Sequence, residues 1–277
     1  MTTAVNDSVE LSIRHFIDAW RLMCVGAPGY ADEPANGVHY VFSGIPIAFF
    51  NLALVTDASV SAAALSAAGQ RACEWASMRG VPWLFVVTNE NLAPGTDAAA
   101  ALDSCGMVPA MPLTGMIAQT VAPPSNVPPG LQLMRPQDDS RCAALVDVNG
   151  LAYGIDLDAA KEILGKRTFW SGHFPALGLA DGTPACAAAV MMVDRYRYVA
   201  LVATDPARQR RGYGELVMRH ALALSAQTHG DVPSTLHATE AGRPIYERMG
   251  YAPIASHTLF MEKRFLAGHR ANHHGRT

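Results

Sequence analysis

Four prolines fall within eleven residues, "TVAPPSNVPPG", from Thr120 to Gly130. Proline fixes φ, lacks a backbone donor and pushes its predecessor toward extended geometry, so this segment can neither continue a helix nor occupy a central strand. It reads as a semi-rigid linker. The linker, 120–130, divides the 277-residue chain into an N-terminal domain, 1–119, and a second domain, 131–265. The remainder, 266–277, is rich in histidine and has no apolar residue beyond Ala271, so disorder is expected there. Half of the residues are apolar, enough for each domain to bury a core.

Composition narrows the class. No long uncharged apolar run and no basic-then-apolar leader occurs, so a soluble, cytoplasmic protein is expected, without a membrane partner. The formal charge of -3 gives no basis for nucleic-acid binding, yet its distribution is uneven. Residues 1–130 carry four Lys or Arg against ten Asp or Glu, net -6, whereas 131–277 carry seventeen against fourteen, net +3. Five scattered cysteines form no CxxC pair and have no histidine at zinc-ligand spacing, so reduced thiols and no metal are expected.

Strand and helix patterns alternate in both domains. Before the linker the pattern predicts helices at 9–23, 60–78 and 98–104, and strands near 38–42, 50–55, 83–87 and 113–118. After it come a strand at 131–134, helices through 143–148 and 157–164, and strands near 176–180, 186–193 and 198–204. A helix from Tyr213 to Gln227, a strand 234–238, a short helix 244–249 and a strand 256–264 close the order. Such alternation predicts an α/β fold, a mixed and mostly antiparallel sheet flanked by helices. "LDSCGMVPAMPLTGMIAQ" and "YERMGYAPIASHTLFMEK" end the two halves alike, which points to one domain type used twice.

The chemistry concentrates in "VATDPARQRRGYGELVMRHALALSA", Val202 to Ala226. A strand stops at Asp205-Pro206, and helical spacing resumes at Tyr213 with Leu216, Val217, Ala221 and Leu224 on one face. The first turn of that helix offers unpaired N–H groups and the positive end of the helix dipole, an anion site. Gly212 and Gly214 let a bulky anion reach the backbone, and Arg208, Arg210 and Arg211 add positive charge. The dinucleotide fingerprint fails because Val217 stands where a third glycine is needed, and the P-loop lacks its Gly-Lys-Ser/Thr.

What remains, Gln209-Arg210-Arg211-Gly212-Tyr213-Gly214, resembles the Q/R-x-x-G-x-G/A pyrophosphate loop of the GNAT superfamily of acetyl-CoA-dependent N-acyltransferases. Downstream, "LHATEAGRPIYERMGYAPI" resembles that family's closing motif. The resemblance covers 131–265 well and 1–119 faintly, implying two GNAT-like domains of which the second is catalytic and the first, without the loop, is degenerate. It implies that pantetheine lies along Leu201, Val202, Ala203 and Thr204, that backbone there holds the thioester carbonyl, and that pyrophosphate sits on Arg208 to Gly214, Tyr213 included. Thr239 stands where the family often has Asn beside the cofactor. Tyr246 matches a tyrosine that contacts CoA and protonates its leaving thiolate; a phenol with an ordinary pKa of about 10 can donate to a thiolate of about 8.5.

The general base stays open. No carboxylate lies on the strand 199–204, and the candidates are His237, Glu240, Asp194 and the Tyr196/Tyr198 pair. The region 149–170 corresponds to helices that wall the acceptor site in the family, with Tyr153, Phe169 and Trp170 as aromatic lining and Asp156 or Asp158 as ammonium partners. The implied activity is transfer of an acetyl or short acyl group from CoA to a small-molecule or peptide amine, by direct attack in a ternary complex. A CoA-binding sensor without turnover and a GNAT-fold acyl-CoA decarboxylase are the alternatives. Self-association to a homodimer is one task open to the N-terminal half.

Overall fold

The computed structural model describes residues 2–266, so the His-rich end lies outside the described residues apart from Leu266. The chain forms two compact units. The first comprises 2–116, 237–243 and 253–266, and the second 117–236 and 244–252.

The first unit runs α1 (Thr2–Cys24), β1 (Ala31–Ala35), β2 (Val38–Phe42), β3 (Asn51–Val55), α2 (Ala62–Ser77), β4 (Leu84–Thr88), α3 (Ala98–Asp103) and β5 (Met107–Ala118). α1 is longer than the spacing predicts, and its apolar positions Val9, Ile13, Phe16, Ile17, Trp20 and Met23 recur at three and four residues and are buried. Ser61 caps α2 by accepting the N–H of Ala64 at 3.3 Å. β2 is antiparallel to β1 and β3, and β3 is parallel to β4. β1, "ADEPA", was not predicted, because a Pro-containing and mostly exposed segment fits only a sheet edge, which is where it lies. β5 begins six residues before the predicted strand, at Met107 rather than Leu113, and contains Pro109 and Pro112.

The second unit contains β6 (Leu131–Met134), α4 (Asp139–Tyr153), α5 (Asp158–Leu164), β7 (Phe174–Ala180), β8 (Thr183–Val193), β9 (Tyr196–Thr204) and α6 (Tyr213–His229). β10 (Ser234–Ala238) begins in it, and α7 (Arg243–Arg248) follows. β6 to β9 pair antiparallel in chain order, and β9 pairs parallel with β10. Each unit is thus a mixed, largely antiparallel α/β sheet with helices, and the same order recurs: antiparallel pair, helix, parallel strand, short helix, long strand.

The long strand that follows α7, β11 (Ala252–Glu262), pairs antiparallel with β4 over His257↔Thr88 to Phe260↔Phe85. Phe260 is buried among Tyr40, Phe42, Trp83 and Phe85, and Trp83 Nε1 donates to Glu262 Oε1 at 2.6 Å. The sequence boundary at 265 therefore differs from the observed division, because the sheet and core of the first unit recruit the last strand. All five cysteines are free thiols.

Candidate active site

β9 is the element that opens the site. It pairs with β10 only at Arg197↔Ser234 and Tyr198↔Thr235, so Val199 to Thr204 run on without a parallel partner among the described residues. On its other edge β9 stays on β8, but two residues, Leu201 and Val202, stand against Ala188 alone. This is a bulge, and Leu201 adopts φ +55°, a conformation uncommon for a branched side chain. α4 braces it. Asn149 Nδ2 donates to the Leu201 carbonyl at 3.2 Å and to the Leu145 carbonyl at 3.0 Å. One turn on, the Tyr153 hydroxyl donates to the Val202 carbonyl at 2.9 Å. Asn149 is buried and its Oδ1 has no hydrogen-bond partner, so an acceptor is left beside the bulge.

Past the bulge, Asp205 accepts the Ala207 N–H at 3.0 Å and starts a single 3₁₀ turn, Pro206–Arg208. Gly212 precedes α6 at φ +76° with open space where a Cβ would stand. Gly214 lies so close to β9 that a Cβ would sit 3.0 Å from Thr204 Oγ1. Glycine therefore serves twice, once for a left-handed backbone and once for close helix-to-strand approach. Gln209, Arg210 and Arg211 are exposed around the turn, whereas Tyr213 is buried and packs as core. Arg208 is half-buried and engaged, donating to Asp205 Oδ2 at 2.9 Å and to the Pro184 carbonyl at 3.2 Å. The result is a helix N-terminus with no capping side chain, preceded by the exposed Arg210 and Arg211.

Tyr246, on α7, is half-buried and packs edge-on to Tyr251 with centroids 6.1 Å apart. Burial, with the Tyr153 and Tyr251 phenols nearby, raises its pKa above the ordinary value, so it stays protonated. Tyr198, on β9, is fully buried and likewise raised by burial, with Tyr246 adding to it.

The other expected residues spread out. Trp170 is buried and donates to the Leu164 carbonyl at 2.8 Å, a packing role, while Phe169 is half-buried against it. Asp156 accepts the Asp158 N–H at 2.9 Å, and Asp158 pairs with Lys161 at 2.7 Å at the start of α5. Asp194 is exposed at φ +51°, in a hairpin turn. Thr239 accepts the Gly242 N–H on Oγ1 at 3.2 Å and Glu240 is exposed.

His237 belongs to the first unit, where its Nε2 lies 3.0 Å from Ser12 Oγ and its ring stacks on Phe16 at 4.2 Å. Ser12 Oγ is also 3.0 Å from His257 Nε2, whose Nδ1 lies 3.0 Å from Thr88 Oγ1. Burial, then the neighbouring His257 and His15, lowers the His237 pKa well below the imidazole value. Among the described residues no group of three or more His, Cys, Asp and Glu is placed to hold a metal ion. No helix of the described residues is long and apolar enough to cross a membrane.

Asn149 was not anticipated from sequence. Its one available signal is a polar amide at i-4 to Tyr153 on an otherwise apolar helix face.

The site thus combines a strand that leaves its parallel neighbour, a bulge and an uncapped glycine-flanked helix start. Residues 175–253 match the acetyltransferase (GNAT) domain family. Among solved structures, a GCN5-related N-acetyltransferase from Kribbella flavida is similar, with 18% identity, 93% of this chain and 98% of that chain covered, and a TM-score of 0.69. A functionally unknown conserved protein from Staphylococcus epidermidis ATCC 12228 has 10% identity, 84% and 94% coverage and a TM-score of 0.60. A GCN5-related N-acetyltransferase from Sphaerobacter thermophilus has 13% identity, 81% and 76% coverage and a TM-score of 0.58. These likenesses establish the fold. A search of curated proteins found no significant match.

Proposed function

We propose that the second unit is an N-acyltransferase that moves an acetyl or short acyl group from CoA to a primary amine by direct attack. The observation that carries this reading is the free run of β9, Val199 to Thr204, leading straight into the Gly212 turn of α6. The residues fit a CoA thioester. The pyrophosphate would rest on the N–H groups from Gln209 to Gly214 among Arg208, Arg210 and Arg211. The pantetheine would follow Leu201 to Thr204, and the orphan Oδ1 of Asn149 offers an acceptor to an amide N–H.

In this reading the chain's own groups do three things. The bulge at Leu201 and Val202, held by Asn149 and Tyr153, would offer its backbone N–H groups to the thioester oxygen, where negative charge grows as the amine adds. The new C–N bond forms as the C–S bond breaks, and Tyr246 Oη gives its proton to the departing sulfur. The proton lost by the amine passes to solvent; Glu240 and His237 belong to the first unit, where His237 is held as a weakly basic neutral imidazole.

Release of CoA thiol from acetyl-CoA in the presence of an amine panel tests the reading. Replacing Gly212 or Gly214 by Val should abolish acetyl-CoA binding, because the first forces a β-branched residue to φ +76° and the second drives a side chain into Thr204. The lack of a carboxylate on Val199–Thr204 favours a second reading, a CoA-binding sensor; it predicts tight CoA binding and no thiol release with any amine.

A further inference from the structure

Asn149 and Tyr153 stand one turn apart on α4 and both reach β9, but they are held differently. Asn149 is 1% exposed, and its Nδ2 is shared between the Leu145 and Leu201 carbonyls, so it braces the bulge from inside. Tyr153 is 44% exposed and meets β9 at its hydroxyl tip, on the Val202 carbonyl at 2.9 Å. A side chain so exposed can turn away without opening the core.

The edge of β9 that this carbonyl faces follows from the pairing. The Asp205 N–H donates to the Ala185 carbonyl at 2.9 Å, so it points to β8. Across that trans peptide the Thr204 carbonyl points the other way, to the edge that has no parallel partner here among the described residues. An antiparallel ladder repeats every second residue, so the Ala203 N–H, opposite Ala187, also points to β8 and the Val202 carbonyl to the free edge. Both free-edge carbonyls meet a side chain of the second unit. Val202 accepts from Tyr153, and Thr204 faces Gln209 Nε2 at the longer distance of 3.5 Å. These carbonyls are the acceptors that an extended ligand laid along β9 needs.

We propose that Tyr153 is a specificity-determining residue of the donor site, a placeholder on the Val202 carbonyl that yields to a ligand bringing its own amide N–H. The inference rests on the placement of pantetheine along Leu201 to Thr204 in the reading above, and it needs no turnover. An amide N–H replaces the phenol with an equivalent hydrogen bond, whereas a ligand without one leaves Tyr153 where it is. Asn149 keeps its hold on Leu201 in either case, so the bulge survives the exchange.

The test is calorimetric titration of the wild-type chain and of Tyr153→Phe with CoA and with adenosine 3′,5′-bisphosphate, which carries the nucleotide end without pantetheine. Without the hydroxyl there is no bond to displace, so Tyr153→Phe should bind CoA about threefold to tenfold more tightly, the net worth of one neutral hydrogen bond. The bisphosphate should bind both chains equally or neither. CoA affinity that is unchanged or weaker in Tyr153→Phe overturns the proposal, as does an equal gain for the bisphosphate. Absence of CoA binding in both chains would overturn the pantetheine placement and this proposal with it, so the two failures are distinguishable.

Discussion

Tyr246 and the two histidines beside Ser12 show how burial sets chemistry in opposite directions. Burial keeps the Tyr246 phenol protonated well past neutral pH, which suits a proton donor. Tyr246→Phe should leave acetyl-CoA affinity within about twofold and lower kcat by roughly 10²- to 10⁴-fold, the usual worth of a positioned acid; equal turnover would remove Tyr246 from the chemistry. Burial drives His257 down to about 3. Below pH of about 6.5 the unfolded chain takes a proton that the folded His257 refuses, so stability contributed above that pH is lost as pH falls toward 3. Between pH 7 and pH 5 this costs about 2 kcal/mol at roughly 1.4 kcal/mol per unit, and His237, lowered for the same reason, steepens it. Urea unfolding at the two pH values should show this drop, and a smaller one in His257→Gln. The glycine and arginine turn was legible because spacing and residue type define an anion turn, whereas Tyr246 was singled out by resemblance to a family position. Asn149 and Tyr153 were not legible, since nothing in α4 tells which carbonyl its inner face will meet. Tyr153, expected as acceptor lining, instead places its hydroxyl on the Val202 carbonyl.

The same limit governs whole elements. Alternation marks 256–264 as a strand but cannot name its neighbour, because a period of two specifies faces and not partners. The structure gives β11 to β4, with Phe260 in the core of the first unit. Phe260→Ala should therefore destabilise that unit by about 3 to 5 kcal/mol, measured as loss of hydrogen-exchange protection in β2 to β4. Protection unchanged there would contradict the pairing. β9 and α6, by contrast, were readable almost to the residue, since Asp205-Pro206 ends one and Gly212 begins the other. The bulge between them was invisible, because Leu201 and Val202 look like ordinary strand residues until one is seen at φ +55°.

Across the molecule, the proline-rich segment begins just after the chain first passes from one unit to the other, and the fold repeats one element order. The second unit, whose charges balance, has the arginine turn at the end of β9; the first has no basic residue in the corresponding loop after β3. The loops after β9 and β3 hold three arginines and none. In the proposed reading the donor belongs to the second unit alone. Titration of acetyl-CoA into the wild-type chain and into Gly212→Val, with thiol release followed across an amine panel, decides the matter. One saturable site and amine-dependent thiol release in the wild type, both lost in Gly212→Val, are predicted. Acetyl-CoA binding of equal strength in Gly212→Val would contradict the assignment, and thiol release from neither chain with any amine would contradict acyl transfer.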